Sequence, residues 1–209
     1  MTKGGIMSNL LTFAVPLLIG NLFQQLYNMV DTYVIGQTGI AGDYAAVGSV
    51  GPIINILIGL FSGFASGAGV IISRYFGAGD KKGVEKAVHT SMMLTAILCV
   101  IFTVAGVISA PGMLDLMLDS ERAGYSEMFG AGKTYLTIYF AGVSGLLIYN
   151  MGAGIMRAVG DSTRPLYFLI VCAIANTCLD FLFVFKFKMG VAGVALATVI
   201  SQIISAVLT

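Results

Sequence analysis

The sequence predicts an all-α polytopic membrane protein built on six transmembrane helices. Three observations lead there. Of its 209 residues, 57% are hydrophobic and only 10% are charged, whereas a soluble domain carries about a quarter charged residues. The mean hydropathy is +0.93. Apolar stretches of about 20 residues, enough to cross a bilayer as helix, recur along the chain between short polar breaks.

The first span is read at 10–36. Its opening, "MTKGGIMSNLLTFAVPLLIG", holds a single lysine and runs past signal-peptide length without a small-residue cleavage site, so it stays as a span. Pro16 lies inside it and removes one backbone N–H, which favours a kink and makes Pro16 a candidate hinge. The second span, 50–73, contains "GLFSGFASG" with Gly59, Gly63 and Gly67 at four-residue spacing. That spacing predicts a face for close helix packing, with a gating groove as the alternative. The break "RYFGAGDKKGVEK" leads to the third span, 87–110. The next loop, 111–131, is acidic through Asp115, Asp119, Glu121 and Glu127, and its apolar periodicity predicts a short surface helix. A fourth span, 132–156, ends at "RAVGDSTRP". Both basic breaks run arginine, glycine, aspartate: the glycine suits a turn and the aspartate can cap the next helix. Neither continues into a phosphate-cradling motif. The fifth span, 166–187, and the sixth, 191–209, are separated by "KFKMG". The sixth runs to Thr209 with no polar tail and reads as the edge of a longer protein.

Lysine and arginine placement orients the bundle. With a cytoplasmic N-terminus, the inside pieces hold Lys3, Arg74, Lys81, Lys82, Lys86, Arg157 and Arg164, against Arg122, Lys133, Lys186 and Lys188 outside. A net charge of +1 gives no basis for nucleic-acid binding. The single His89 and the cysteines Cys99, Cys172 and Cys178 have no metal-ligand spacing. No nucleophile–base pair or cofactor loop appears, so an enzyme is not expected.

Two carboxylates sit deep in spans, Asp31 and Asp180. An aspartate at the centre of a spanning helix costs about 2.5–3.5 kcal/mol on insertion scales, so such groups face the bundle interior. Asn176 and Asp180 are four apart and share a helix face. Gln24, Asn28 and Asp31 form one stripe on the first span, widened by Asn21 and Gln25, with Tyr27 a turn before Asp31. At 1.5 Å per residue Asp31 lies about 7–8 Å, and Asp180 and Thr198 about 10 Å, below the outer helix ends. Asn150 on the fourth span falls deeper. Carboxylate, amide and hydroxyl oxygens at one level can ligate a hard cation, and Asp180, Asn176 and Thr198 are candidate sodium ligands. Equally, either carboxyl, taken out of water, is a candidate proton carrier. The plain structural alternative is that each aspartate hydrogen-bonds a neighbouring helix.

The ordered set of motifs resembles the multidrug and toxic compound extrusion (MATE) transporter family. Pro16, Gln24, Tyr27, Asn28 and Asp31 are similar to its first helix. "RYFGAGDKKG" and "MRAVGDSTRPL" resemble its loops after the second and fourth helices, and "NTCLDFLFVF" with "GVAGVALATVISQ" its fifth and sixth helices. The resemblance implies that residues 1–209 are the N-terminal six-helix lobe of a two-lobe, twelve-helix transporter whose C-terminal lobe is absent from this chain. It implies exchange of sodium or protons for cationic or amphipathic organic compounds by alternating access, without a cofactor, in a bacterial plasma membrane. It also implies an N-lobe cation site at Asp31, Asn176, Asp180 and Thr198, with Tyr27 and Asn150 nearby. Asp31 would be the coupling carboxylate and the other three the cation ligands. The expected partners are the lipid bilayer, a small organic substrate and the second lobe. A lipid-linked oligosaccharide flippase of the same broad fold is one rival, disfavoured because no basic residue reads as deep in a span. A non-transporting membrane scaffold subunit is another. Tyr27, Tyr135, Tyr139 and Tyr149 could pack against flat cations or serve as core.

Overall fold

A computed structural model describes residues 6–37, 41–118 and 124–209. Lys3, Asp119, Glu121 and Arg122, used above for orientation and loop charge, lie outside them. The described residues form α1 (Ile6–Gly36), α2 (Ala41–Gly77), α3 (Lys81–Met117), α4 (Tyr125–Ala141), α5 (Val143–Ala158), α6 (Thr163–Asp180), a π-helical turn (Phe181–Lys186) and α7 (Gly190–Leu208). Five helices are long and apolar enough to cross a membrane by themselves, with the π-helical turn completing α6; α4 and α5 together make a sixth.

The helices run several residues beyond most of the predicted spans, and two predicted segments are built differently. The fourth span is broken: α4 and α5 meet at 49°. Gly142 sits at the break because α7 comes so close that a Cβ there would collide with Val199. Among its described residues, the 111–131 segment forms no separate surface helix. Instead α3 continues through Pro111 to Met117 and α4 starts at Tyr125, with the Tyr125 hydroxyl donating to Asp115 Oδ1 at 2.8 Å. At 37 residues each, α2 and α3 run to about 55 Å, well beyond a hydrocarbon core of about 30 Å, so both protrude or tilt.

The two glycine–aspartate breaks are turn and cap together. Gly79 (φ +72°) and Gly160 (φ +93°) take the left-handed conformation that glycine adopts without strain. Asp80 Oδ1 then accepts from Gly83 N–H at 2.9 Å to open α3. Asp161 Oδ1 accepts from the Thr163 and Arg164 N–H groups at 3.1 Å to open α6. These short turns hold α2 against α3 and α5 against α6.

The apolar core gathers Val34 and Ile35 of α1, Val50, Leu57 and Phe61 of α2, Leu136 and Phe140 of α4, and Val194 of α7. Phe61 meets Phe102 edge-on at 4.9 Å. Leu18, Leu22, Ile56, Val100, Ile108 and Ile174 are exposed on the outside of the bundle, where hydrocarbon is the matching solvent. Gly59, Gly63 and Gly67 pack against nothing within 4 Å. The predicted packing face is therefore not a helix contact within this lobe. The three glycines floor a groove of about 860 Å³ between α2 and α3. Close backbone approach happens elsewhere, where Gly154 of α5 meets Ala65 and Gly145 meets the α7 backbone.

Candidate cation site

α7 is the inner post of the lobe, packed on α4, α5 and α6. Its Thr198, Ser201, Gln202 and Ser205 are all buried. Four-residue spacing puts Thr198 and Gln202 on one face, and that face meets the polar stripe of α1. On the other side α6 presents Asn176 and Asp180, both 0% exposed. The helix changes from α to π winding immediately after Asp180.

The folded chain brings four of the predicted residues together. The Asp31 carboxyl opposes that of Asp180, with Thr198 and Asn176 beside them. The Thr198 hydroxyl lies 2.9 Å from the Val194 carbonyl oxygen and 3.3 Å from Asp31 Oδ2. It has one proton to give, and the shorter contact is to Val194. Asp31 Oδ1, both oxygens of Asp180 and both amide atoms of Asn176 are buried without a hydrogen-bond partner. Leaving buried polar atoms unpaired is costly, and two ionised carboxylates side by side repel. One proton or one cation held between them would answer both. The donor set of carboxylate, amide and hydroxyl oxygens fits a hard cation or a shared proton. Among the described residues there is no cluster of three or more His, Cys, Asp or Glu side chains.

The other predicted residues divide between two cavities. The upper one, about 280 Å³, is lined by Asn28, Asp31, Tyr135, Tyr139 and Thr198 among others. The lower one, about 120 Å³, takes in Pro16, Gln24, Tyr149, Asn150 and Arg157. Tyr27 belongs to both. Asn150 does not join the carboxyl pair: its amide donates to the Leu146 carbonyl at 2.8 Å and accepts from Ser62 at 3.4 Å. Gln24 and Pro16 likewise stand below the pair.

Sequence reasoning offered Tyr135 only as an aromatic surface for flat cations or as core, and passed over Gln202 and the cavity position of Arg157. Tyr135 packs beside Thr198 and the aspartates, and is stacked on Tyr139 with ring centroids 6.2 Å apart. Gln202, on the same face as Thr198, stands by the Tyr139 hydroxyl. The i,i+4 relation of Thr198 and Gln202 was the available signal. Arg157, counted as a loop residue, ends α5 half-buried beside Tyr149 and lines the lower cavity.

A MatE profile matches residues 16–182. The chain belongs to the MatE family. It is 30% identical over 201 residues to the probable multidrug resistance protein YpnP of Bacillus subtilis, covering 96% of this chain and 44% of that protein. To YoeA of the same organism, also a probable multidrug resistance protein, it is 31% identical over 206 residues, covering 97% and 43%. The multidrug export protein MepA of Staphylococcus saprophyticus is 26% identical, covering 97% and 44%. Among solved structures, a MOP superfamily transporter of Pyrococcus furiosus Vc1 superposes with a TM-score of 0.89 at 27% identity, covering 98% of this chain and 44% of that one. MATE in the bent conformation gives 0.88 at 27% identity, and in the straight conformation 0.87 at 28%, each covering 98% and 44%. The MatE chain therefore spans less than half the length of these relatives. Its bundle corresponds to one lobe of a MATE transporter, a multi-pass membrane protein of a family of transporters rather than enzymes.

Proposed function

We propose that this MatE chain forms the N-terminal lobe of a cation-coupled exporter of small organic compounds. The observation that carries the reading is the buried Asp31–Asp180 pair with its unpartnered oxygens. A proton or sodium ion binds there in one stage of the cycle and leaves in another. Thr198 and Asn176 complete the ligand set, while Tyr27, Gln24, Asn28 and Asn150 extend polar surface away from it. Pro16, lining the lower cavity from within α1, is the hinge at which that helix bends as the charge of the pair changes. Cationic or amphipathic compounds are the expected cargo, in line with the multidrug export proteins the chain resembles. The N-terminus is cytoplasmic, the membrane is the bacterial plasma membrane, and a second lobe of the same polypeptide closes the transport path. A flippase for anionic lipid-linked sugars fits less well, because among the described residues Arg157 is the one basic residue lining the polar cavities and stands at the end remote from the carboxyl pair.

The test is export of a fluorescent cationic dye by the full-length protein in proteoliposomes, with sodium and proton gradients imposed separately. Export follows one gradient, and Asp180→Asn lowers it at least tenfold. Dye movement that ignores both gradients, or is untouched by the substitution, returns Asp180 to a structural role.

A further inference from the structure

The two polar cavities touch. Tyr27, Ile58 and Gln202 line both, so the space around Asp31 and the space leading to the α5–α6 turn share a common wall. Positions along each helix agree on direction. On α1 the lining runs from Asp31 through Tyr27 and Gln24 to Pro16, 15 residues and about 22 Å. On α7 it runs from Thr198 through Gln202 to Ser205, and the far end is lined by Ser162 and Arg157. The pinch between the cavities sets two polar side chains, Gln202 and Tyr27, beside the apolar Ile58. Gln202 is 6% exposed and its Oε1 has no hydrogen-bond partner, while its side chain stands against the Tyr139 hydroxyl. Apolar residues would seal such a waist at less cost, since unpaired buried polar atoms are unfavourable. Groups of this kind are suited to a passing ion or water, which supplies the missing bond for as long as it is there.

We propose that the two cavities are one polar conduit, gated at Gln202 and Tyr27, through which the coupling cation moves between the Asp31–Asp180 pair and the α5–α6 face of the lobe. This rests on the carboxyl pair being the coupling site. Gln202 is thus a positioning residue for ion passage, not a ligand of the bound ion. Among the described residues Arg157 is the sole formal charge lining the lower cavity, and its guanidinium keeps a cation from settling at that mouth, so the ion crosses the lower cavity without being stored there.

Cys172 lines the lower cavity on the α5–α6 side of the pinch and gives a direct probe. In the full-length protein with Cys172 as its reactive cysteine, silver ion, a monovalent cation, is applied to membrane vesicles of each orientation. Its reaction is read as protection of the thiol from later alkylation. We expect protection at least tenfold faster from the α5–α6 face than from the opposite face. In parallel, Gln202→Met, which keeps the volume and removes the amide, retains equilibrium binding of sodium or protons while ion-driven exchange slows at least tenfold. Silver that does not reach Cys172 from that face, or Gln202→Met exchanging at the native rate, overturns the conduit. Lost binding in Gln202→Met also overturns it, by making Gln202 a ligand. If Asp180→Asn abolishes coupling while these results come out negative, only the conduit fails; if Asp180→Asn leaves coupling intact, the coupling site itself fails.

Discussion

α7 and α3 are both apolar enough to cross a membrane, yet their surroundings differ. Of its most apolar stretch, α7 has 56% buried inside the lobe and α3 only 11%. α3 buries Thr95, Gly106, Ala110 and Leu114 and shows Ile97, Val100, Ile101, Val104 and Ile108 to the outside. α7 buries Thr198, Ser201, Gln202 and Ser205 as well as its valines and alanines. In lipid an outward apolar face costs nothing, so hydropathy reports only that a helix crosses. The polar residues report which way it faces. α7 is wrapped by α4, α5 and α6 because its small and polar side chains need protein neighbours, while α3 can stand at the rim.

The sharpest way to break that contrast is to push α7 off its neighbours. A Cβ on Gly145 would lie 2.9 Å from the backbone nitrogen of Ile203 and 3.0 Å from the carbonyl carbon of Gln202. Backbone cannot swing aside as a side chain does, so Gly145→Ala must move α5 from α7. Overpacking of this kind costs about 1–3 kcal/mol, which corresponds to an apparent Tm about 2–12 °C lower in detergent. An unchanged Tm would mean that α7 is not held as tightly as its burial implies.

A smaller effect is expected inside the carboxyl pair. Thr198→Val keeps the shape of the side chain and removes the hydroxyl 3.3 Å from Asp31 Oδ2. Loss of one such oxygen is worth about 1 kcal/mol, or about a fivefold weaker binding of the proposed coupling ion, read on the full-length protein by sodium or proton titration. Unaltered affinity would leave the hydroxyl with its Val194 bond alone.

Much of this arrangement was legible in the sequence for one reason: charge and amide groups are expensive in lipid. That cost turns Asp31, Asn176 and Asp180 inward wherever their helices go, and equal depth then brings them to one level. What was not legible depends on neighbours. The stretch "YLTIYFAGVSGLLIYN" reads as one apolar span, and only Val199 of α7, pressing on Gly142, explains its break. Gln202 carries no formal charge, so its insertion cost alone did not single it out, and only its place between the two cavities shows that it lines them. The glycines of α2 looked like a packing face because spacing shows that a helix can be approached, not what approaches it.

That last point yields the smallest predicted effect. Gly63 has nothing within 4 Å of where a Cβ would stand, as do Gly59 and Gly67. In a helix interior alanine is favoured over glycine by about 0.5–1 kcal/mol through backbone entropy alone. Within this lobe nothing opposes that gain, so Gly63→Ala is expected to leave the apparent Tm of the full-length protein unchanged or up to about 3 °C higher. The measurement separates two kinds of membrane surface that look alike in a single lobe. A groove filled by fluid lipid tails accommodates one added methyl group. A groove filled by a closely packed helix does not, and Gly63→Ala would then lower Tm as Gly145→Ala does. A fall of that size would place a protein segment against the α2–α3 groove and make its glycines contact residues after all, with the partner supplied from outside the described helices.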